Sequence, residues 1–299
     1  MIRTRAEVLS ERTLGAYHSV TLVAPDVAER ARPGQFVEAG MPEGRHFFLR
    51  RPFFIHQASR RGGFAGTIEL IVDKVGHGSE WLGEARAHQF IDLIGPLGKG
   101  FGIARPPACL LIAEDYGAAP LYFLAEELRA AGKRVDMIVG AANQERLFKA
   151  IEGKRLAHSI SMVTADGSVG ERGGVMDVLP EMLERCASDV IYAAAPRPTL
   201  RRVAEFCRAR RIPAQVAVEE LMACGLGMCF TCAVPIVRKD GSGYDHLRAC
   251  LDGPVFPAGR IHWDRWGTGW PGAAEEPTDV VKVEPSQPEP LPAARPWAG

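Results

Sequence analysis

The sequence predicts a multidomain protein of the β plus α/β class, with an N-terminal β-barrel, a parallel α/β domain and a C-terminal loop domain. Residues 1–103 contain short alternating apolar runs, residues 104–213 alternate apolar runs with helical patterns, and residues 214–265 contain four cysteines. Many short strands favour a sandwich or barrel, whereas alternating strands and helices favour a parallel sheet. A chain of 299 residues is long enough for two or three such domains.

The N-terminal segment, residues 1–103, shows strand patterns and no convincing helix. Its alternating runs HSVTLVA, GQFVEAG, TIELIVDKV and QFIDLIG are separated by glycines and prolines. The glycine-rich stretch RRGGFAG lies between PFFIHQAS and TIELIVDKV, which predicts a β-hairpin. We therefore expect a small barrel in this segment.

The middle segment, residues 104–213, has the pattern of repeated strand–helix units. An apolar run at 109–113 precedes a helical pattern through Leu121, Leu124 and Leu128, and a second apolar run follows at 135–139. The alternation continues through HSISMVTA, VMDVLPEMLERC, DVIYAAA and TLRRVAEFCRARR. These repeats predict a parallel sheet.

The composition argues against several classes of function. The chain has 36 Lys plus Arg and 36 Asp plus Glu, so no net charge favours nucleic acid or an anionic membrane. It contains no apolar stretch of about 18 residues and no secretory h-region at its start, which favours a cytoplasmic protein. Seven prolines in the last 29 residues predict that the segment 266–299 is a disordered tail.

Four of the seven cysteines form one constellation, which begins with Cys224 and has the spacing C-x4-C-x2-C followed by a fourth thiol. This is the spacing of plant-type [2Fe–2S] centres, whereas zinc sites usually combine two close pairs. Gly225 and Gly227 suit a loop whose backbone N–H groups must point toward an anionic core. We predict a [2Fe–2S] cluster, with a zinc site and unrelated structural cysteines as alternatives. The other three, Cys109, Cys186 and Cys207, are predicted to be ordinary buried residues.

A second group of motifs lies in the barrel segment. The stretch FFLRRPFFIH at 47–56 could place an arginine on a diphosphate and an aromatic ring beside a flat heterocycle. The alternative is a barrel strand with a charged edge. Two glycine-rich corners, KVGHGSEWL at 74–82 and GPLGKGF at 95–101, favour the first interpretation because glycine allows close approach to a phosphate.

With these motifs the chain resembles the electron transfer subunit of NAD-dependent (class 1B) dihydroorotate dehydrogenase, in the ferredoxin–NADP reductase superfamily. The likeness covers roughly residues 5–262 and runs through the blocks PGQFV, RRPF, GHGSEWL, GPLGKGF, VTADGSVGERGGVMDVL, CGLGMCFTC and ACLDGPVF. It implies an FAD-binding barrel at 1–103, an NAD-binding-like domain at 104–213 and a [2Fe–2S] domain at 214–265, with the tail at 266–299.

The resemblance also implies which residues contact the cofactors. Arg51 would hold the FAD diphosphate, and Pro52 and Phe53 would lie along the isoalloxazine. The further flavin contacts that it implies are Phe54, Ile71, Val72, Asp73, Gly78 and Ser79. The cluster ligands that it implies are Cys224, Cys229, Cys232 and Cys250. No residue of this chain is expected to act as a catalytic acid or base on dihydroorotate.

The family's partners and reaction are implied in the same way. An FMN-containing catalytic subunit would oxidise dihydroorotate and pass electrons through the [2Fe–2S] cluster to FAD and on to NAD, in pyrimidine biosynthesis. The expected assembly is a heterotetramer of two copies of each subunit. No nucleic acid and no membrane are expected to take part.

The chain departs from the family pattern at two places. Phe54 stands where the family has a serine whose hydroxyl can bind the flavin, so flavin tuning is expected to differ. The glycine run that holds the NAD phosphates is replaced by a turn with Glu114 and Asp115, whose carboxylates would repel a phosphate or cap the following helix. NAD binding is therefore left open.

Three functions remain compatible with the sequence. The first is the complete NAD-dependent electron transfer subunit. The second keeps FAD and the cluster but has a lost or altered nicotinamide site and passes electrons to another acceptor; a related flavin–iron–sulfur reductase that serves another oxidoreductase is a further variant. The third is an assembly subunit that supports a catalytic partner without carrying electrons.

Overall fold

A computed structural model describes residues 1–40, 49–103, 105, 107–147 and 149–267. Its first unit is a closed six-stranded antiparallel barrel with the strand order β1-β2-β5-β4-β3-β6. The strands are β1 (Ile2–Leu14), β2 (Tyr17–Val23), β3 (Phe36–Gly40), β4 (Arg51–Ser59), β5 (Thr67–Asp73) and β6 (Phe90–Leu97). Strands β4 and β5 form the antiparallel hairpin that the glycine-rich turn predicts.

Two short helices belong to this N-terminal unit, α1 (Pro25–Arg30) and α2 (His77–Gly83). The expectation of no helix before residue 103 is therefore wrong. Helix α1 begins at a proline, whose fixed φ suits the first helical position. Helix α2 is only seven residues long, too short for a helical hydrophobic period to stand out in the sequence.

The second unit is a seven-stranded sheet with the order β10-β9-β8-β7-β11-β12-β15. Its strands are β7 (Ala108–Glu114), β8 (Arg134–Ala141), β9 (Ser159–Thr164), β10 (Glu171–Arg172), β11 (Val190–Ala194), β12 (Ala214–Ala217) and β15 (Val255–Pro257). The helices are α3 (Ala118–Ala130), α4 (Ala150–Leu156), α5 (Val175–Cys186) and α6 (Arg197–Arg210). All neighbouring strands pair in parallel except β12 and β15, which pair antiparallel.

The cysteine-bearing segment forms a loop and a two-stranded ribbon of β13 (Ala233–Val237) and β14 (Tyr244–Arg248). Three of the four cysteines lie between β12 and β13, and Cys250 follows β14. The same segment contributes β12 and β15 to the large sheet, so the loop is held against that sheet from both ends. The predicted fold class is confirmed, whereas the domain boundaries remain predictions. Most of the tail at 266–299 lies outside the described residues.

Helix α3 connects the barrel to the sheet. It is buried on nearly all sides, and its Phe123 belongs to the apolar core of the barrel. Arg60 of the barrel reaches over the same ring and donates to Glu127 of α3 at 2.8 Å.

Among the described residues, no helix is long and apolar enough to cross a membrane.

A buried polar network crosses the same boundary. Lys149, just before α4, donates to both carboxylate oxygens of Glu69 in β5 at 2.9 Å. Its ammonium also lies 2.9 Å from His56 Nε2, while His56 Nδ1 lies 2.7 Å from the Ala119 carbonyl oxygen at the start of α3. This geometry makes Nδ1 the protonated nitrogen of a neutral imidazole. Burial lowers the pKa of His56 to about 4, and the Lys149 charge adds to that shift.

Candidate functional site

A cavity of about 530 Å³ opens between the barrel and the second sheet. This volume falls in the range of small-molecule and cofactor sites. Its lining is formed by Arg51, Pro52, Phe53, Asp73, Val75, Gly76, His77, Gly78, Ser79, Tyr116 and Glu219. Six of the nine predicted flavin-binding residues therefore meet in one place, although they come from three separate stretches of sequence.

Arg50 and Arg51 have different surroundings, although they are neighbours in the sequence. Arg50 donates to the Asp92 carboxylate at 2.5 Å and to its backbone carbonyl at 2.9 Å. Arg51 forms no ion pair within the described residues and donates only to the backbone carbonyls of Leu49 and Arg50. The guanidinium of Arg51 thus keeps its charge available to an anion in the cavity.

The turn at Gly78 packs directly against Arg51. A Cβ placed on Gly78 would lie 2.9 Å from the Nε of Arg51, so a side chain there would displace the guanidinium. The Ser79 hydroxyl accepts from the backbone N–H groups of Val75 and Gly76, at 3.0 and 3.2 Å, and donates to the Gly76 carbonyl. Ser79 therefore shapes the turn, and the predicted phosphate contact remains a prediction.

The other three predicted flavin contacts do not line this cavity. Ile71 and Val72 are fully buried, and they pack into two different apolar cores because successive strand residues face opposite sides. Phe54 lines a smaller adjoining cavity of about 150 Å³, where its ring centroid lies 6.4 Å from that of Tyr116. Any flavin contact from Ile71 and Val72 would have to come from the backbone.

The cysteine loop is arranged around the sulfur of Cys224. The backbone N–H groups of Leu226 and Met228 donate to this sulfur at 3.4 and 3.3 Å. Gly225 and Gly227 have φ values of +63° and +81°, which glycine adopts at little cost. The two glycines therefore let the loop turn its N–H groups inward, as the sequence predicts.

Two of the four thiols have surroundings that shift their acidity in opposite directions. The Cys229 sulfur lies 3.1 Å from the Thr231 hydroxyl oxygen, whereas Cys250 is fully buried. Hydrogen bonds from Thr231 and Cys224 lower the pKa of Cys229 to about 6, which favours its thiolate. Burial raises the pKa of Cys250 to about 12, and the neighbouring Cys232 adds to the shift, so that this thiol needs a metal ion to lose its proton.

The loop fits an anionic iron–sulfur cluster, because two of its backbone N–H groups point inward at the Cys224 sulfur and the four cysteines have the spacing of a [2Fe–2S] site. Among the described residues, no three His, Cys, Asp or Glu side chains are gathered tightly enough to hold a metal ion, so the four sulfurs would have to draw closer together around the cluster. The three isolated residues, Cys109, Cys186 and Cys207, are at most 2% exposed, which confirms the prediction that they are ordinary buried residues.

The two carboxylates of the acidic turn after β7, Glu114 and Asp115, have different surroundings. Asp115 accepts from Arg146 Nε at 3.2 Å and from the Ala142 N–H at 3.3 Å. Glu114 has one buried oxygen without a hydrogen-bond partner, and burial raises its pKa. Helix α3 receives no side-chain cap, so the expectation that one of these carboxylates caps it is wrong. The arginine satisfies Asp115 instead.

Three site residues were missed by the sequence analysis. Tyr116 and Glu219 line both cavities, and Glu38 lies beneath the cluster loop. Tyr116 follows Glu114 and Asp115 in the acidic turn, and no sequence pattern indicates that its ring reaches the cavity. Glu219 lies more than 110 residues after the last of the flavin motifs. Glu38 belongs to the strand run GQFVEAG, in which a carboxylate is expected to face solvent.

Glu38 connects the two candidate cofactor sites. It is fully buried in β3, and neither carboxylate oxygen has a hydrogen-bond partner among the described residues. A Cβ on Gly225 would overlap its carboxylate, while its partner across the strands is Pro52, which lines the cavity. Burial raises the pKa of Glu38 to about 7. The cluster loop and the cavity are therefore separated by little more than one strand pair.

The relatives of this chain share most of its length. The electron transfer subunit of dihydroorotate dehydrogenase B (NAD(+)) from Geobacillus thermodenitrificans is 34% identical over 263 residues, which are 87% of this chain and 98% of that protein. The subunit of the same name from Desulforamulus reducens is 32% identical over 242 residues, or 81% of this chain and 90% of that protein.

The chain belongs to the family of dihydroorotate dehydrogenase B electron transfer subunits. The resemblance predicted from the motifs is thereby confirmed. Residues 219–262 match the iron–sulfur cluster binding domain of dihydroorotate dehydrogenase B. This match covers Cys224, Cys229, Cys232 and Cys250, and it confirms the expectation of an iron–sulfur cluster.

Solved structures of other oxidoreductases share the fold of this dihydroorotate dehydrogenase B family member. An NADH-dependent reduced ferredoxin–NADP oxidoreductase, studied for flavin-based electron bifurcation, superposes with a TM-score of 0.76 at 27% identity, over 87% of this chain and 91% of that one. The ferredoxin reductase of carbazole 1,9a-dioxygenase shares the fold, with a TM-score of 0.59 at 21% identity over 71% of this chain. The predicted barrel and parallel sheet are those of this fold.

Proposed function

We propose that this chain is the electron transfer subunit of a dihydroorotate dehydrogenase and carries electrons between a catalytic subunit and NAD in pyrimidine biosynthesis. The observation that carries this proposal is the adjacency of the two sites. Pro52 lines the flavin-sized cavity, and Glu38, its partner in the ladder, touches the cysteine loop at Gly225. Two cofactors held at these places would lie close enough to exchange electrons through a few side chains.

Separate sets of residues bind the two cofactors. Cys224, Cys229, Cys232 and Cys250 hold a [2Fe–2S] cluster, and Arg51 with the Gly78 turn holds the FAD diphosphate while Pro52 and Phe53 flank its ring. When bound, the cluster carries single electrons and the flavin exchanges either one electron or a hydride, which couples the partner's oxidation to NAD. The alternatives of a different acceptor and of a non-redox assembly subunit receive no support from the relatives.

The surface around the cysteine loop fits a protein partner. Leu221 and Met228 are 78% and 81% exposed, and Phe230 and Leu251 are also exposed beside them. Arg248 stacks on Phe230 with its guanidinium carbon 4.8 Å from the ring centroid, and donates to the Gly227 carbonyl at 2.9 Å. Exposed apolar side chains around an arginine are typical of interface centres.

The partner that we assign to this surface is an FMN-containing catalytic subunit, with two copies of each chain in the complex. An electron donor must approach the cluster, and this surface is the side on which Cys229 is exposed. The proposed location of the complex is the cytoplasm.

A Met228→Glu variant is expected to weaken the complex with the catalytic subunit by about 1–2 kcal/mol, because it places a charge in the centre of an apolar interface. The measurement is the dissociation constant of the two purified subunits by titration calorimetry. The matched control is Leu9→Glu, an exposed leucine on the barrel. Equal binding by both variants would show that the catalytic subunit docks elsewhere.

An Arg51→Ala variant is expected to hold FAD more weakly by about 1.5–3 kcal/mol, the value of a hydrogen bond to a charged group. FAD retained after dilution and gel filtration measures the effect. Arg50→Ala is the control, because Arg50 is already engaged with Asp92. Full flavin occupancy in Arg51→Ala would mean that another residue holds the diphosphate.

A Glu114→Gln variant is expected to bind NADH about fivefold more tightly. The change removes one carboxylate beside the expected phosphate position, where a like charge costs about 1 kcal/mol at 4 Å in water. Asp115 is left in place because Arg146 already pairs with it. Flavin bleaching against NADH concentration measures the affinity, with the exposed Glu181→Gln on α5 as control. An unchanged affinity would show that NADH does not approach this turn.

A further inference from the structure

Glu219 occupies an unusual position between the two candidate cofactor sites. It follows β12, five residues before Cys224, and its side chain lines both the large cavity and the adjoining small one. Its side chain is exposed to solvent through the cavity, and the protein atoms beside its carboxyl desolvate it in part. No hydrogen bond to this carboxyl is formed by any described residue.

Glu219 forms no ion pair with the charged residues around it in the part of the chain that the structure describes. Asp73, at the end of β5, and Asp115, in the turn before α3, both face Glu219, and Arg146 pairs with both of them. Glu220, the next residue, instead accepts from Arg197 and from Trp266. Because Arg146 is already paired with the two aspartates, it does not neutralise a carboxylate at Glu219.

The remaining titratable groups that line the cavity are Arg51, His77 and Tyr116. Burial raises the pKa of Tyr116 further above neutrality, so its phenol holds its proton firmly. His77 is the first residue of α2, and its imidazole is the alternative group that the test below has to separate from Glu219.

The proposed function requires one proton per pair of electrons. Two electrons that arrive singly through the cluster bring no proton, whereas the hydride that leaves for NAD carries one: two electrons, one H⁺ and NAD⁺ give NADH. The proton must therefore enter the flavin cavity from a group that can hold it there and regain it from solvent.

We propose that Glu219 is this proton donor. Its carboxyl gives H⁺ to the flavin side of the cavity as electrons arrive, becomes a carboxylate, and regains H⁺ from water through the cavity mouth. This inference rests on the proposed function and adds a catalytic residue to it. The chemistry is consistent with its surroundings, because burial and the nearby Asp73 and Asp115 raise the pKa of Glu219 to about 7. The acid form is then available below about pH 7.

The test compares two reductants on the flavin-loaded protein. Dithionite supplies electrons without a proton, whereas NADH supplies a hydride. A Glu219→Gln variant is expected to be reduced by dithionite at least about tenfold more slowly than the wild type at pH 6. This is a conservative figure, because general acid–base catalysis typically contributes about a hundredfold or more to a rate. Reduction by NADH should keep its wild-type rate, because the hydride carries the proton. A merely structural role of Glu219 would slow both reactions.

Two further readouts complete the test. Added acetate should restore the dithionite rate in Glu219→Gln. The visible spectrum of the oxidised flavin is expected to shift near pH 7 in the wild-type protein and to show no such shift in Glu219→Gln. The control variant is Glu220→Gln, which is expected to behave like the wild type in both reactions.

Equal dithionite rates and equal pH profiles in the wild type and Glu219→Gln would overturn the assignment, as would a selective dithionite defect in His77→Gln instead. These outcomes are distinct from failure of the proposed function, in which the wild-type protein would bind no FAD or would not react with NADH.

Discussion

A Cys229→Ser variant is expected to lose the [2Fe–2S] cluster while it keeps its flavin. Cys229 is exposed, and hydrogen bonds from Thr231 and Cys224 lower its pKa to about 6, which favours the thiolate form that binds iron. Serine is a poor ligand for iron because its hydroxyl stays protonated near neutral pH. The absorbance of the cluster, iron content and acid-labile sulfide should fall together to near zero, since a cluster with three sulfur ligands is rarely retained.

The control for this prediction is Cys207→Ala on α6, a buried cysteine outside the constellation. It is expected to keep full iron and sulfide, with a small loss of stability from the missing sulfur. A metal analysis of the wild-type protein that gives one zinc and no sulfide would contradict the assignment of the whole loop. A Cys229→Ser protein with unchanged iron would contradict the role of this residue alone.

A Lys149→Met variant is expected to lower the free energy of unfolding by about 3–5 kcal/mol, the usual cost of removing one partner from a buried ion pair. The Lys149 and Glu69 side chains are only 13% and 9% exposed, so the carboxylate left behind would have little access to water. His56 would lose its donor at Nε2 as well. Because the network joins β4 and β5 to α3 and α4, the loss should also loosen the barrel from the second sheet.

Urea unfolding of the flavin-loaded protein measures this effect, with exposed Lys154→Met on the same helix as the control. The double variant Lys149→Met with Glu69→Gln should recover part of the loss, because it removes the stranded charge. Equal free energies of unfolding for Lys149→Met and Lys154→Met would show that the ion pair does not stabilise the contact between the barrel and the second sheet.

The parts of the site that the sequence predicts are those whose signal is local. The cysteine spacing and its two glycines lie within a single stretch, and the adjacent Arg51, Pro52 and Phe53 form one short motif. The strand and helix patterns follow from the alternation of apolar residues, which depends on neighbours only. For the same reason the two short helices of the barrel unit, which are too short to show a period, were missed.

The parts that could not be predicted depend on contacts between distant residues. Arg146 pairs with Asp73 across 73 positions, and Lys149 meets His56 across 93. The acidic turn was read as a helix cap or a repulsive site because nothing in the sequence shows that an arginine will be placed against Asp115. Likewise, Glu38 and Glu219 acquire a role only when the fold closes around them, since a lone glutamate reads as a surface residue.

The central claim is that this chain transfers electrons between an iron–sulfur cluster and NAD through FAD. Anaerobic addition of NADH to the purified, flavin-replete protein tests it most directly, with flavin absorbance and the electron paramagnetic resonance signal of the cluster followed together. We expect saturating NADH to bleach the flavin band and then to produce the signal of a reduced [2Fe–2S] cluster, and Cys229→Ser to show the bleaching alone. A flavin band that stays unchanged at saturating NADH, in a protein that dithionite reduces fully, would contradict the claim.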